Sequence, residues 1–539
     1  MDRRGGRFWL TVAFVTCTGG AVRYAAAVTV NDPLAGALNG AAFIELAALS
    51  ERPAISRNRA LDALRKGDLA IGLEALRNGD YAKAREIFQR LAEQGDAVAQ
   101  FHLAEMYAKG QGVSQDDAEA VRWYQGAAGR GDARAEDALC LFFVQGTFRE
   151  TIHALLEQAG DAAHWCRKAA EHGSTYAQEW LATMYDLGSG MAQDYVEAAR
   201  WWRRAAEHGS VVAQSNLAQM YFEGKGVPRD DTEAARWYRE AAERGLADAQ
   251  YALGLLYDGG RGVPRDTVEA ARWYRKAAEQ GNAEAQFNLG VMYGTGEGVA
   301  RDEAEATRWF RKAADQGDPA AQNNLGGMYL NGEGVPPDAI EAARWFRKAA
   351  EQGFADAEYN LGLMYERGDG VRRDAAKAAY WYRHAAEQNF ASAQYNLGVA
   401  YSKGRGVRRD AGEAARWYEK AAAQGVAVAQ NALGVAYAHG EGVKGDKAKA
   451  LGWFRKAAAQ GDADGQYNLG LAYANGDGVA RDYVQAYLWW NLAAAQGVSD
   501  ARNGRDVIAR RMTREEIAEA RRLVSAFRAN SEAIRSSTE

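Results

Sequence analysis

One position in this chain is tryptophan again and again. Trp123, Trp165, Trp201, Trp237, Trp273, Trp309, Trp345, Trp381, Trp417, Trp453 and Trp489 lie 36 residues apart, apart from a single gap of 42. Eleven of the fifteen tryptophans occupy this row. A fixed period of this length means a unit that cannot bury its own apolar surface and must stack on copies of itself, so the chain is an array of repeats rather than a string of globular domains.

The unit Asn282–Gly317 serves as the type. Ala285, Leu289, Met292 and Tyr293 mark one apolar face at helical spacing. Ala306, Trp309, Phe310, Ala313 and Ala314 mark a broader stripe on a second helix. Gly296-Glu297-Gly298-Val299 separates them, and ten of eleven units carry this Gly-x-Gly turn. Glycine reaches positive φ and so ends one helix and turns the chain. Asp302 reads as an N-cap, with Glu305 completing a capping-box variant. Asp318 reads as the next cap, with Pro319 just inside the following helix. Trp309 is expected to lie between the helices of its own unit and those of the next.

These residues resemble the Sel-1-like repeat of the tetratricopeptide superfamily. The match is carried by Ala285-Gln286-x-Asn288-Leu289-Gly290-x-Met292-Tyr293, Gly296-x-Gly298-Val299 and Trp309-Phe310-Arg311-Lys312-Ala313-Ala314. The resemblance implies an all-α fold, an α/α solenoid with a right-handed superhelix. It also implies a scaffold for a protein or peptide partner whose identity it does not name.

The chain divides as follows. Residues 1–27 read as a signal peptide: Arg3, Arg4 and Arg7, then apolar Phe8 to Val15, then Ala25-Ala26-Ala27. Residues 28–58 read as a leader and 59–95 as a tetratricopeptide-like unit. Eleven Sel-1-like repeats fill 96–497, of which 132–173 is irregular. Residues 498–530 read as capping helices that cover the last apolar face, opened at Thr513-x-x-Glu516 by a capping box. Residues 531–539 read as a disordered tail. Formal charge is −5 and pI about 6.0; cleavage after residue 27 leaves 62 basic against 70 acidic residues. That balance argues against nucleic acid as ligand. The apolar N-terminal run is too short to span a bilayer, so no stable membrane span is expected after cleavage.

Candidate chemistry is sparse. Gly-x-Ser-x-Gly, His-Glu-x-x-His, the phosphate-binding Gly-x-x-x-x-Gly-Lys-Ser/Thr and Ser-x-x-Lys are all absent. No cofactor, metal site or catalytic residue is expected. Cys140, His153, His164 and Cys166 match no standard zinc spacing. The aromatic rows lie on the apolar stripes and read as core, whereas Trp202 and Trp490 fall off the tryptophan row and read as exposed contacts. His172 and His208 stand at second-helix ends, where the helix dipole favours a cation.

Asn216, Asn288, Asn324, Asn360, Asn396 and Asn468 form a second row, on the first helix of each unit. In tetratricopeptide arrays that helix lines the concave face. The row could grip the backbone of an extended peptide or tie neighbouring helices together. A carboxylate clamp would need a second Asn three residues on, where Val291, Gly327, Leu363, Val399 and Leu471 stand instead.

The expected role is therefore an exported, non-enzymatic envelope scaffold, periplasmic or secreted. Its alternatives are a cytoplasmic adaptor and, from another class, an envelope hydrolase of β-lactamase type. In an exported chain Cys140 and Cys166 remain after cleavage. Cys140 takes the position held by Gly290, and Cys166 that held by Phe310. Both positions face the inside of one unit, so the pair forms either a disulfide or two buried thiols. A bridge would close a loop of about 25 residues and contribute about 3 kcal/mol.

Overall fold

The computed structural model describes residues 54–147 and 152–538, with side-chain surroundings for residues 62–144 and 161–529. The expected signal and residues 28–53 of the leader lie outside these bounds, and the side chain of His153 lies outside those described. The described residues form 26 helices and no strand. They fall into two compact units, ending at Arg130 and beginning at Gly131.

The first unit holds α1 (Ala54–Arg77), α2 (Tyr81–Glu93), α3 (Ala97–Lys109) and α4 (Asp117–Ala128). Its core gathers Phe88, Leu91, Leu103 and Met106. The second opens with α5 (Ala133–Thr147) and α6 (Ile152–Glu171). Helices then follow in pairs from α7 (Thr175–Leu187) to α24 (Tyr483–Ala495), each packed against the one before and the one after. The result is an α/α solenoid built as the period requires. Part of the 42-residue unit's extra length goes into α6, which is 20 residues long against the usual 13.

The type unit shows how local chemistry sets the pair. Helix α13 (Ala283–Thr295) ends at Gly296, φ 80°, and Gly298 follows at φ 74°. The second glycine has a further reason: a Cβ there would lie 2.2 Å from the Thr267 carbonyl oxygen, at the start of the preceding unit's second helix. The turn thus docks one unit onto the last. Helix α14 (Glu303–Asp315) is capped by Asp302, which accepts from the N–H groups of Ala304 and Glu305. The box is not completed, because the Glu305 carboxylate turns outward to Arg308. At Thr513 the box is complete: Glu516 Oε2 accepts from the Thr513 N–H at 2.7 Å and Thr513 Oγ1 from the Glu516 N–H at 3.1 Å.

Trp309 is buried, but against the preceding unit rather than the next. It packs with Ala270, Ala271 and Tyr274 of that unit and with Ala285, Leu289 and Met292 of its own first helix. Trp202 and Trp490, expected at the surface, are buried at 6% and 5% exposure. They stand where Phe310 stands in the type unit and fill the gap between paired helices. The indole of Trp490 lies over Gly470 and donates to the Tyr467 carbonyl at 3.0 Å.

At the C-terminus α25 (Ser499–Ala509) and α26 (Arg514–Thr538) close the array, with Val524 and Phe527 against Leu488, Trp489 and Leu492. Helix α26 runs to Thr538, where the sequence reading placed a disordered tail from residue 531. That stretch is polar but holds neither glycine nor proline, so nothing in it breaks a helix already begun.

Candidate functional site: the outward face of the first helices

In each repeat the first helix buries one side against its partner and turns the other out. On α13 the outward positions are Glu284, Phe287, Asn288 and Val291, which share a face at i, i+3, i+4 and i+7. Equivalent positions repeat in α11 (Ala247–Gly259), α15 (Pro319–Asn331), α17 (Ala355–Arg367), α19 (Ala391–Lys403), α21 (Ala427–His439) and α23 (Ala463–Asn475). First helices of successive repeats also meet directly, as α21 meets α23. The ring position of this face is aromatic on α11, α13, α17, α19 and α23 and is asparagine on α15 and α21, where Asn323 and Asn431 stand, and α15 has Gly327 at the position of Val291.

Its rings are fixed from beneath. Phe287 lies 5.7 Å from Phe310, Tyr359 5.9 Å from Tyr382 and Tyr395 5.9 Å from Tyr418, each leaning on a core ring of its own second helix. Tyr359 also meets Phe390, the cap residue of α19, at 5.1 Å. The core ring reaches its place because a small residue stands opposite. A Cβ on Gly290 would be 2.8 Å from Phe310 Cδ1. Burial drives the core phenols upward: Tyr418 is pushed up to about 12, and Tyr274 and Tyr382 are raised further by nearby carboxylates. Beside the rings runs an apolar row in which Val291, Leu363 and Val399 are half-buried and Leu471 is exposed.

The asparagine row lies on this face, half-buried except for Asn360, which is buried. Part of its capacity is spent inside the protein. Asn360 Nδ2 donates to Asn323 Oδ1 at 3.0 Å and Asn468 Nδ2 to Asn431 Oδ1 at 2.8 Å, each crossing from one repeat to the one before. Asn288 lies against the Tyr274 phenol, and Asn396 against those of Tyr359 and Tyr382. Among the described residues Asn216 and Asn324 show no such partner.

A row that the sequence reading passed over carries the polar seam. Gln286 is buried; its Nε2 donates to the Ala278 carbonyl of the preceding helix at 3.0 Å, and its Oε1 accepts from Gln316 Nε2 at 2.8 Å. Gln322 and Gln394 repeat both bonds. The signal was available: glutamine recurs at this position from Gln100 to Gln466 with the period of the tryptophans. His172 and His208 belong to the same seam, facing Glu136 Oε2 at 2.5 Å and Gln178 Oε1 at 3.1 Å. These contacts add to the helix-end reading of the two histidines.

In the irregular unit Cys140 and Cys166 are both fully buried and joined as a disulfide, with Cα atoms 4.6 Å apart. Their sulfurs are thus not open to a metal. Among the described residues no group of three or more His, Cys, Asp or Glu is arranged to hold a metal ion, and no helix is long and apolar enough to cross a membrane.

Comparison with known proteins gives a consistent picture. The family model described as Sel1 repeat matches twelve segments: 69–96, 97–132, 158–174 and nine successive blocks from 175–210 to 463–498. That is one more than the tryptophan row counts, because the model includes the unit read as tetratricopeptide-like. A solved structure of a protective antigen from uropathogenic Escherichia coli strains, displaying an SLR fold, is 36% identical with a TM-score of 0.71, covering 82% of this chain and 94% of that one. A Sel1 repeat protein from Oxalobacter formigenes is 38% identical with a TM-score of 0.47, covering 59% of this chain and 92% of that one. An exopolysaccharide production negative regulator from Rhizobium leguminosarum bv. viciae is 32% identical over 129 residues, which is 22% of this chain and 48% of that protein. The chain thus spans about half the length of that relative.

Proposed function

The chain belongs to the Sel1 repeat family, and on that premise we propose that it is an exported, non-enzymatic scaffold of a bacterial envelope, binding a protein or peptide partner on the outward face of its first helices. The observation that carries this reading is the set of fixed, half-buried rings beside apolar side chains, Phe287 with Val291, Tyr359 with Leu363 and Tyr395 with Val399, interrupted on α15 by Asn323 and Gly327. Rigid aromatic and aliphatic side chains held from below are what a binding surface needs, because little rotamer freedom is lost when a partner arrives. The outward asparagines offer amides to a main chain lying along this face. The lack of catalytic motifs supports the non-enzymatic part.

Export is supported by the basic, apolar and small-residue order of residues 1–27. The buried Cys140–Cys166 bridge also supports it, being a bond of oxidising compartments. The likeness to an exopolysaccharide regulator supports a partner in regulation or polysaccharide secretion, within the half of that protein that is matched.

The test is affinity capture from envelope extracts with the wild-type chain and with Tyr359→Ala/Leu363→Ala, alongside fractionation and N-terminal sequencing of the native protein. The expected result is a mature start near Val28 outside the cytoplasm and a partner lost from the variant. A start at Met1 in the cytosol would make the chain a cytoplasmic adaptor. A partner retained by a folded variant would move the binding surface elsewhere.

A further inference from the structure

We propose that the partner segment received by this face is basic, an extended stretch of polypeptide whose lysine and arginine side chains lie along the edge formed by the first-helix N-termini. The inference rests on the binding role proposed above and adds the chemistry of the partner.

The first observation is a sign asymmetry. The first five residues of α11, α13, α15, α17, α19, α21 and α23 contain no lysine, arginine or histidine, while Asp248, Glu284, Asp356 and Asp464 stand among them. The caps Asp318 and Asp462 add to the same edge. Among the described residues none of these six carboxylates forms an ion pair. The chain's own cations on this face, Arg367 and Lys403, sit at the opposite ends of their helices.

The second helices provide the control. Their acids at the third helical position are paired within the helix: Glu269 with Arg272, Glu305 with Arg308, Glu341 with Arg344 and Glu413 with Arg416. Their cap aspartates, such as Asp302 and Asp338, accept from backbone N–H groups as Asp318 and Asp462 do, so the contrast lies in the acids within the helices. A helix dipole attracts acids to any N-terminus, so it accounts for carboxylates on both helices. It does not account for the neutralising arginine being present on one helix and missing from the other.

The charges on the unpaired edge act on one another. Burial raises Asp318 and Asp462, and the neighbouring Glu284 and Asp464 push each further in the same direction. Burial likewise raises Tyr395, and Asp462 and Asp464, two repeats further along the chain, add to it. The Ala321 and Gly465 N–H groups offset part of this at the two caps, and a cation laid along the edge would relieve the repulsion that remains.

Rings tell the same story. The tryptophans of the second helices already carry the chain's own ammonium groups: Lys276 over Trp273 at 3.8 Å, Lys312 over Trp309 at 3.9 Å and Lys348 over Trp345 at 3.9 Å. Among the described residues Phe287, Tyr359, Tyr395 and Tyr467 have no such cation over them. Rings beside unpaired carboxylates form the pairing that favours a cationic side chain from outside.

The experiment is selection of a random dodecapeptide display library on the full chain. Binding of the enriched peptides is then measured to the wild type, to E284Q/D356N/D464N, to Y359A/L363A and, as control, to E305Q/E341Q. The expected result is enrichment of lysine- and arginine-rich peptides. Their affinity should fall about tenfold between about 50 and about 300 mM sodium chloride, and about fivefold in the first variant with no change in the control. Enriched peptides that are neutral or acidic, yet lose binding in Y359A/L363A, would overturn this inference and leave the binding face standing. Peptides indifferent to both first-helix variants, or no enrichment, would overturn both.

Discussion

The units 132–173 and 282–317 close the same pair of helices by different chemistry. In the regular unit Gly290 leaves room for the Phe310 ring, and Gln286 bonds to Gln316. In the irregular unit the equivalent residues are Cys140 and Cys166, joined as a disulfide, and Glu136 with His172. The regular unit docks on its neighbour through Gly298; the irregular one has no Gly-x-Gly turn at all. A repeat position therefore fixes a task, here to clamp two helices and cross one polar seam. Packing does it where the turn holds the register, and a covalent bond does it where the turn is gone.

The largest expected effect falls on the regular unit. Trp309→Ala empties a site shared with the preceding repeat and should cost about 3–5 kcal/mol. Hydrogen exchange should rise first across residues 246–317 and leave 132–173 protected, since solenoid stability is local and nearest-neighbour. Uniform loss along the array would break the comparison. Next is Cys140→Ala/Cys166→Ala, expected to cost about 3 kcal/mol and confined to the irregular unit. Cys140→Gly/Cys166→Phe, which rebuilds the regular pair, should lose less; an equal loss in denaturant melts would show that the two clamps are not interchangeable. Gly298→Ala should cost about 2 kcal/mol, because a Cβ meets backbone at positive φ.

A smaller effect comes from alkali. Tyr418 holds its proton in the folded state up to about 12, against an ordinary value of 10.0. A raised folded value means stability that is complete below pH 10 and is lost as pH climbs towards 12. At pH about 11 the loss is about 1 kcal/mol for this residue. Exchange measured against pH should loosen the unit containing Tyr418 before 132–173, whose equivalent position is a disulfide with nothing to titrate. The reverse order would contradict the assignment.

The period made most of this fold legible. Tryptophan spacing, caps and double glycines placed the helices, and the Cys140 and Cys166 positions could be matched to Gly290 and Phe310 by counting. Trp202 and Trp490 were misplaced because they were judged by falling off the tryptophan row, although they stand at the Phe310 position of the apolar stripe. The adjacent position is also buried, one side chain facing the preceding unit and the other its own first helix. The glutamine seam was missed because a polar residue on a helix reads as solvated until its backbone partner, eight residues back, is seen. The asparagine row was legible as a row, but its division between bonds within the protein and amides turned outward needed coordinates. The partner face depends on which acids lack an arginine, a property of neighbours in space.

The account's central claim is that the outward face of the first helices receives the partner. Site-specific photocrosslinking in living cells addresses it directly, with benzoylphenylalanine placed at Tyr359 on the first-helix face and at Ile340, a 70% exposed residue on a second helix. The account predicts a discrete adduct with another protein from position 359 and none from 340. An adduct from 340 with none from 359 would contradict it.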